Sequence, residues 1–306
     1  MNIILNLSGI KTEPWAAAFQ ALMPDATVQI WSPGAPPADY AVVWAPSQQF
    51  LDEQSRLKAL FAIGAGVDAL VKLRLPAHTL LVRIDDGGMG VQMAEYVTHA
   101  VLRHFREFDV YAQTVAERRW LPRRPRASAE FPVGIMGLGV LGRCVAGALA
   151  RFDFPLRGWS RTVKSLHGVE SFTGPDQLAA FLAGTRILVC LLPLTAETTG
   201  ILNRETLSAL MPGGYVINVA RGAHLVDEDL IALLDSGHLA GATLDVFHTE
   251  PLPADHPFWA DPRITITPHI SARTVRDETA SQITTKIRAL ERGESIAGVV
   301  DLARGY

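Results

Sequence analysis

The chain has 306 residues, 48% of them hydrophobic and 19% charged, with a formal net charge of -3. That length exceeds one small core and suits two medium domains, the composition excludes a disordered chain, and the bulk charge argues against nucleic acid as the main partner. Two cysteines, Cys144 and Cys190, sit in apolar surroundings with no CxxC spacing, which points to a reducing, cytoplasmic setting.

The opening MNIILNLSGI lacks a basic leader and a small-residue cleavage site, so it reads as a first strand. No apolar run approaches the ~20 residues of a membrane helix. Ile3 to Leu7 is a short apolar run of the kind buried on both faces of a parallel sheet. Pro14 suits the first turn of a helix through Trp15, Phe19 and Leu22, because the N–H it lacks has no partner there. Val28 to Trp31, Tyr40 to Trp44 and Leu80 to Ile84 read as strands; Leu57 to Ile63 is apolar and runs into Gly64-Ala65-Gly66. The alternation predicts a parallel α/β layer.

A long helix is predicted from about Gln92 to about Ala116, with Val97, Val101, Phe105 and Phe108 on one face. Glu117 to Arg126 holds five arginines, a tryptophan and two prolines. It reads either as a solvated connector or as an arm reaching a partner subunit, with Trp120 buried there. Six further strand candidates follow: Pro132 to Met136, Leu156 to Ser160, Arg186 to Leu192, Tyr215 to Asn218, Ala240 to Val246 and Ile264 to Thr267. A mostly parallel sheet of that size suits a dinucleotide-binding domain. Ala272 to Arg292 has a helical pattern.

The strand Val133 to Met136 feeds Gly137-Leu138-Gly139-Val140-Leu141-Gly142, a GxGxxG that follows a strand and opens a helix. The first glycine makes the tight turn, the second admits a pyrophosphate to the backbone, and the third lets helix and strand pack. The helix N-terminus adds free N–H groups and a positive dipole end. A lone GxGxxG is also compatible with a plain βα turn; the context raises it above that. An enzyme preferring NAD carries an acid at the end of the second strand. Here that strand ends Gly158-Trp159-Ser160 and continues Arg161-Thr162-Val163-Lys164, with no acid before Glu170. Ser160 and Arg161, with Lys164, suit a 2′-phosphate instead, so NADPH is the preferred cofactor, with NADH possible. No metal ion is expected.

In open α/β sheets, ligands sit beyond the carboxyl ends of the strands. Arg221, Asp245, Glu250 and His269 all follow strand-like runs, with 250 − 221 = 29 and 269 − 250 = 19 residues between the reactive three. Singly, each has a plain structural reading: a surface cation, a turn cap, a satisfied loop histidine. Together the segments GLGVLG, NVARG, LDVF, TEPL and TPHIS resemble the signature run of the D-isomer-specific 2-hydroxyacid dehydrogenases. The resemblance covers nearly the whole chain, since Gly64-Ala65-Gly66-Val67-Asp68 is similar to the family's carboxylate-binding loop. Within the family the chain is most similar to the glyoxylate/hydroxypyruvate reductase A type.

Reduction of a 2-keto acid needs a hydride at C2 and a proton on its oxygen. A histidine, ordinarily titrating near ~6.5, exchanges that proton near neutrality, and a neighbouring carboxylate favours its charged form. His269 is therefore assigned as the general acid and Glu250 as its orienting partner, while the planar fork of Arg221 holds the substrate carboxylate and polarises the carbonyl. The resemblance implies further roles. Backbone N–H groups of Ala65, Gly66 and Val67 would cradle the carboxylate, and Asp245 would bond the nicotinamide carboxamide. Leu192, Pro193, Thr195 and Ala220 would line the cofactor. Trp44 would wall the substrate pocket, or belong to the core, and Met93 would touch the nicotinamide or fill the hinge.

The resemblance further implies two Rossmann-like or flavodoxin-like domains with parallel sheets and a cleft between them: a substrate domain over 1–95 plus 273–306, a cofactor domain over 96–272, hinges near Gly87-Gly88-Met89-Gly90, and a homodimer through the cofactor domains. Three alternatives stay open. They are a dehydrogenase of another substrate, such as 3-phosphoglycerate; a β-hydroxyacid or imine reductase, which needs an all-helical second domain that the pattern of this chain lacks; and a non-catalytic NAD(P)-sensing regulator of the corepressor type.

Overall fold

The computed structural model describes residues 1–305. The chain divides into two compact units, one formed by Met1–Met89 with Arg273–Tyr306 and the other by Gly90–Ala272.

The first unit contains β1 (Asn2–Leu7), α1 (Glu13–Leu22), β2 (Thr27–Ile30), β3 (Tyr40–Trp44), α2 (Gln48–Glu53), β4 (Ala59–Ala62) and β5 (Leu80–Arg83). The strands lie in the order β2-β1-β3-β4-β5, every pair parallel. This is a flavodoxin-like order. The three central strands are almost wholly buried, which is why they read as unbroken apolar runs rather than alternating ones. The C-terminal stretch returns to this unit. Lys286 is buried with its ammonium 2.9 Å from Asp85 Oδ2 and 2.7 Å from the Ala297 carbonyl, and Val299 bridges antiparallel to Val82.

The chain crosses between units in the first turn of α3 (Met89–Phe105) and continues with α4 (Phe108–Ala116), β6 (Val133–Met136), α5 (Val140–Leu149), β7 (Leu156–Ser160), β8 (Val169–Thr173), α6 (Leu178–Ala183), β9 (Ile187–Cys190), α7 (Arg204–Ser208), β10 (Gly214–Asn218), α8 (Asp227–Asp235), β11 (Leu239–Leu244) and β12 (Ile264–Ile266). In the first unit the chain ends with α9 (Arg276–Glu291) and the tail beyond it.

The second sheet has seven parallel strands in the order β12-β11-β10-β9-β6-β7-β8. One more strand is present than the six read from the sequence. β8 is an edge strand whose side chains are mostly part-exposed, so no apolar run announces it. Chain direction through the sheet reverses between β6 and β9, the switch point at which ligands of such sheets bind.

The predicted long helix is two helices. Glu107 takes a left-handed conformation (φ 56°) and breaks the run between α3 and α4. Its buried carboxylate faces Arg126 at 2.7 Å and Arg123 at 2.8 Å, so the break is tied to the arginine-rich segment downstream. Met93, Val97 and Val101 of α3 are buried in the apolar cluster formed with β6 and β9, so Met93 fills core. Trp120, by contrast, is 97% exposed.

Candidate active site

The glycine loop begins where β6 ends. Gly137 has φ +103°, a conformation strained for any side chain, and a Cβ there would lie 2.8 Å from the Leu191 carbonyl. A Cβ on Gly142 would fall 1.9 Å from the Gly137 carbonyl, so the third glycine is what lets α5 close on the turn. At Gly139 the same hypothetical atom meets nothing within 4 Å. The backbone there faces open space at the N-terminus of α5, in front of unpaired helical N–H groups, as a bound phosphate requires. These residues fit a dinucleotide pyrophosphate. Val140 is exposed and Leu141 part-exposed. The side chain of Leu138 is buried against Gly158 of β7, which leaves its backbone to face a cofactor.

β7 ends at Ser160, whose hydroxyl donates to the Thr162 carbonyl at 2.8 Å and so shapes the following turn. Arg161 is exposed on that turn and Lys164 is half-buried. The first acid downstream, Glu170, lies on β8 opposite Arg157 and pairs with it at 2.5 Å. The position after β7 therefore presents cations and no acid of its own.

β9 leads into Leu191–Thr195. Leu192 is buried and Pro193 exposed, while the N–H and hydroxyl of Thr195 both engage the Thr198 hydroxyl, at 2.9 and 3.2 Å. β10 is fully buried and delivers Asn218, Val219, Ala220 and Arg221 beyond its carboxyl end. Asn218, fully buried, donates from Nδ2 to the Arg221 carbonyl at 2.9 Å and accepts from the Ala220 N–H at 3.2 Å. The guanidinium of Arg221 donates to the Ala220 carbonyl at 2.7 Å. Gly222 then abuts the next loop: a Cβ there would lie 1.9 Å from the Phe247 carbonyl carbon and 2.3 Å from the His248 nitrogen. Only glycine lets the Arg221 turn lie against the segment that carries Glu250.

Glu250 Oε1 accepts from the Phe247 N–H at 3.0 Å, and Oε2 lies 2.7 Å from Nδ1 of His269. Both side chains are part-exposed, 36% for Glu250 and 45% for His269. His269 sits beyond β12 in a left-handed conformation (φ 53°), which costs a non-glycine residue on the order of 1–3 kcal/mol. Asp245, at the end of β11, holds it there. Its carbonyl accepts from the His269 N–H at 2.9 Å, Oδ1 from the Ile270 N–H at 2.8 Å and the Thr267 hydroxyl at 2.5 Å, and Oδ2 from the Ser271 N–H at 2.8 Å. Since Thr267 gives its proton to Asp245, the hydroxyl of Tyr96, 2.5 Å away, donates to Thr267. Burial above all raises Tyr96 to about 12, so it stays a donor. Asp245 has no exposed surface, and its carboxylate accepts from three donors that brace the His269 turn. Asn218, Thr267 and Tyr96 were not anticipated; the only signal was a polar residue inside or beside an apolar strand or helix face.

In the first unit, Trp44 ends β3 at 42% exposure, and its ring covers Gly64, where a Cβ would lie 2.6 Å from it. Ala65 and Gly66 are half-buried and Val67 is buried. Among the described residues, the N–H groups of Ala65, Gly66 and Val67 donate to no protein acceptor.

Arg221, Glu250 and His269 thus stand on loops beyond the carboxyl ends of three adjacent strands, linked through Gly222 and the Glu250–His269 contact. A parallel sheet with its glycine loop at the switch point, and an arginine, a glutamate and a histidine on the neighbouring loops, defines the class of two-unit α/β dehydrogenases. Known proteins agree. Residues 98–271 match the family described as D-isomer specific 2-hydroxyacid dehydrogenase, NAD binding domain. The glyoxylate/hydroxypyruvate reductase A of Serratia proteamaculans is 49% identical over the full length of both chains. A D-isomer specific 2-hydroxyacid dehydrogenase of Xanthobacter autotrophicus, crystallised with NADPH and MES, has TM-score 0.95 and 41% identity, covering 100% of this chain and 99% of that one. The NADPH-dependent glyoxylate/hydroxypyruvate reductase of Sinorhizobium meliloti, crystallised with NADP and sulfate, has TM-score 0.93 and 34% identity with the same coverage. This chain belongs to the D-isomer-specific 2-hydroxyacid dehydrogenases.

Proposed function

We propose that this protein reduces a small 2-keto acid of the glyoxylate or hydroxypyruvate kind to the 2-hydroxy acid, with NADPH as cofactor. The names of its full-length relatives and the cofactors bound in its structural neighbours support this. The observation that carries it is the 2.7 Å contact of Glu250 with His269 on a braced turn, one loop away from Arg221.

When bound, NADPH supplies the hydride that C2 of the keto acid accepts. The backbone of Gly137, Leu138, Gly139, Val140, Leu141 and Gly142 cradles its pyrophosphate. Arg161 and Lys164 neutralise the 2′-phosphate on a turn shaped by Ser160, and Leu192, Pro193, Thr195 and Ala220 line the remainder. Glu250 occupies Nδ1 of His269 and leaves Nε2 to deliver the proton to the substrate oxygen, a contribution of roughly 10²- to 10⁴-fold in rate. Arg221 holds the substrate carboxylate in its planar fork and draws charge onto the carbonyl oxygen. In the first unit, the N–H groups of Ala65, Gly66 and Val67 suit a carboxylate, and Trp44 bounds that loop.

The test is the loss of reduced-nicotinamide absorbance when the purified protein meets NADPH with glyoxylate or hydroxypyruvate. No loss with either would overturn the reading. His269→Ala should lower turnover by roughly 10²-fold or more while NADPH still binds; unchanged turnover would remove His269 from the mechanism.

The same reading includes a homodimer through the cofactor-binding unit. The exposure of Phe108, Val115, Trp120 and Leu121 on α4 and the segment after it supports a covered surface there. Sedimentation should give twice the 33.2 kDa chain mass; a monomer at micromolar concentration speaks against it. A reducing cytoplasm suits two cysteines that form no disulfide. Fractionation that finds the protein outside the cytoplasm refutes that placement.

A further inference from the structure

His224 lies three residues past Arg221 and is fully buried. Its Nδ1 is 3.2 Å from both the nitrogen and the carbonyl oxygen of Arg221, and its Nε2 is 3.3 Å from the Pro193 carbonyl. The chemistry of these partners fixes the ring proton. A carbonyl only accepts, so the nitrogen facing Pro193 carries the hydrogen; the Arg221 N–H only donates, so Nδ1 keeps its lone pair. The competing acceptor for Nδ1, the Arg221 carbonyl, already receives Asn218 Nδ2 at 2.9 Å and the His224 N–H at 3.2 Å, which uses both its lone pairs.

We propose that His224 is a positioning residue: as a neutral, Nε2-protonated imidazole it ties the Arg221 turn to the loop Leu191–Thr195, holding the substrate-binding guanidinium and the cofactor-lining segment in one fixed relation. The tie extends further on the cofactor side. The Pro193 carbonyl also accepts from the Thr198 hydroxyl at 2.7 Å, and that hydroxyl accepts from the Thr195 N–H at 2.9 Å. On the other side the His224 carbonyl accepts from the Leu202 N–H at 2.8 Å, so the ring is anchored from its own backbone. A buried polar group with its partners in place resists displacement, because breaking either bond leaves an unpaired group in a dry interior. Gly222, between Arg221 and His224, meets the Glu250 loop, so the same short turn touches both neighbouring loops of the site.

This inference rests on the reading of Arg221 and Pro193 given under the proposed function. Three substitutions divide the tie. His224→Asn keeps an acceptor near the Nδ1 position and loses the reach to Pro193. His224→Gln keeps a donor near the Nε2 position and loses the acceptor for Arg221. His224→Leu fills the space and keeps neither. The readouts are KM and kcat for glyoxylate, the NADPH dissociation constant and thermal unfolding. The Leu variant should raise both KM and the NADPH dissociation constant, each by roughly five- to tenfold, the size of one lost buried hydrogen bond. The Asn variant should recover KM and not NADPH affinity, and the Gln variant the reverse. Constants within about twofold of the parent in a folded Leu variant would overturn the proposal. So would equal losses in all three variants that track their melting temperatures.

Nitrogen NMR on the unsubstituted, histidine-labelled protein needs no variant to fold. It should show Nε2 protonated and Nδ1 bare across neutral pH; a protonated Nδ1 would overturn the tie. If the parent protein reduces no keto acid, the functional reading fails on that result, while the NADPH constants and the tautomer still decide the role of His224.

Discussion

Arg161 stands exposed one residue beyond β7, on a turn held by the Ser160 hydroxyl, and the nearest downstream acid is occupied by Arg157. A charge-assisted contact to a 2′-phosphate is worth roughly 1.5–3 kcal/mol. Arg161→Ala should therefore weaken NADPH by about 10- to 100-fold and NADH by less than about twofold, measured by fluorescence titration of both cofactors. Equal weakening of the two would refute the phosphate assignment. The arginine and the missing acid were legible in the sequence because cofactor type depends on one side chain at one position. Asp245 was legible as a polar residue at a strand end, but the contacts of its carboxylate were not. Only the fold shows its carboxylate turned onto the Thr267, Ile270 and Ser271 donors, so that it shapes the His269 turn from beneath.

At the scale of elements, the turn Arg221–His224 is the joint between the loops that follow β9, β10 and β11. Gly222 is indispensable there, because a Cβ would overlap the backbone of Phe247 and His248 rather than a movable side-chain tip. Gly222→Ala should lower the unfolding free energy by about 2–4 kcal/mol and reduce kcat/KM further by displacing the Glu250 loop. Gly147→Ala, on the exposed face of α5 with nothing within 4 Å of its Cβ, should instead be neutral or stabilise by up to ~1 kcal/mol. Denaturant melts of both variants check the pair, and an unperturbed Gly222→Ala would show that the loops are not in contact. Two elements escaped the sequence. β8 carries no apolar run because an edge strand needs none, and the break between α3 and α4 is made by Glu107, a residue with no breaker signature, held left-handed by its arginine partners.

For the whole molecule, His104 sets an acid limit. Its ring stacks on Tyr215 with centroids 4.1 Å apart, and Nε2 has no hydrogen-bond partner. Burial first, then the nearby Arg126 cation, lowers it from 6.5 to about 4, against an opposing pull from Glu107 and with a smaller further push from Arg186. As pH falls below 6.5 the unfolded chain takes up a proton that the native chain refuses. Stability is therefore full above 6.5 and declines down to about 4, by up to about 3 kcal/mol from this residue. His104→Phe should flatten that decline in denaturant melts between those two values, and a variant with the parent's pH slope would assign the loss elsewhere.

The apolar runs, the glycine loop and the order of Arg221, Glu250 and His269 determined by themselves the parallel α/β architecture and the family, and marked the three groups proposed to react. Each of these depends on local pattern: strand burial on both faces, a turn only glycine can make, a spacing along the chain. Tertiary structure alone decided how the reactive groups are held. The clamp of Asn218 and His224 on Arg221, the brace of Asp245 beneath His269 and the approach of Gly222 to Phe247 join residues that are polar or small for reasons visible only when distant loops meet. A hydrogen bond between such loops leaves no period in the sequence, because its two ends are set by the packing of the strands that deliver them.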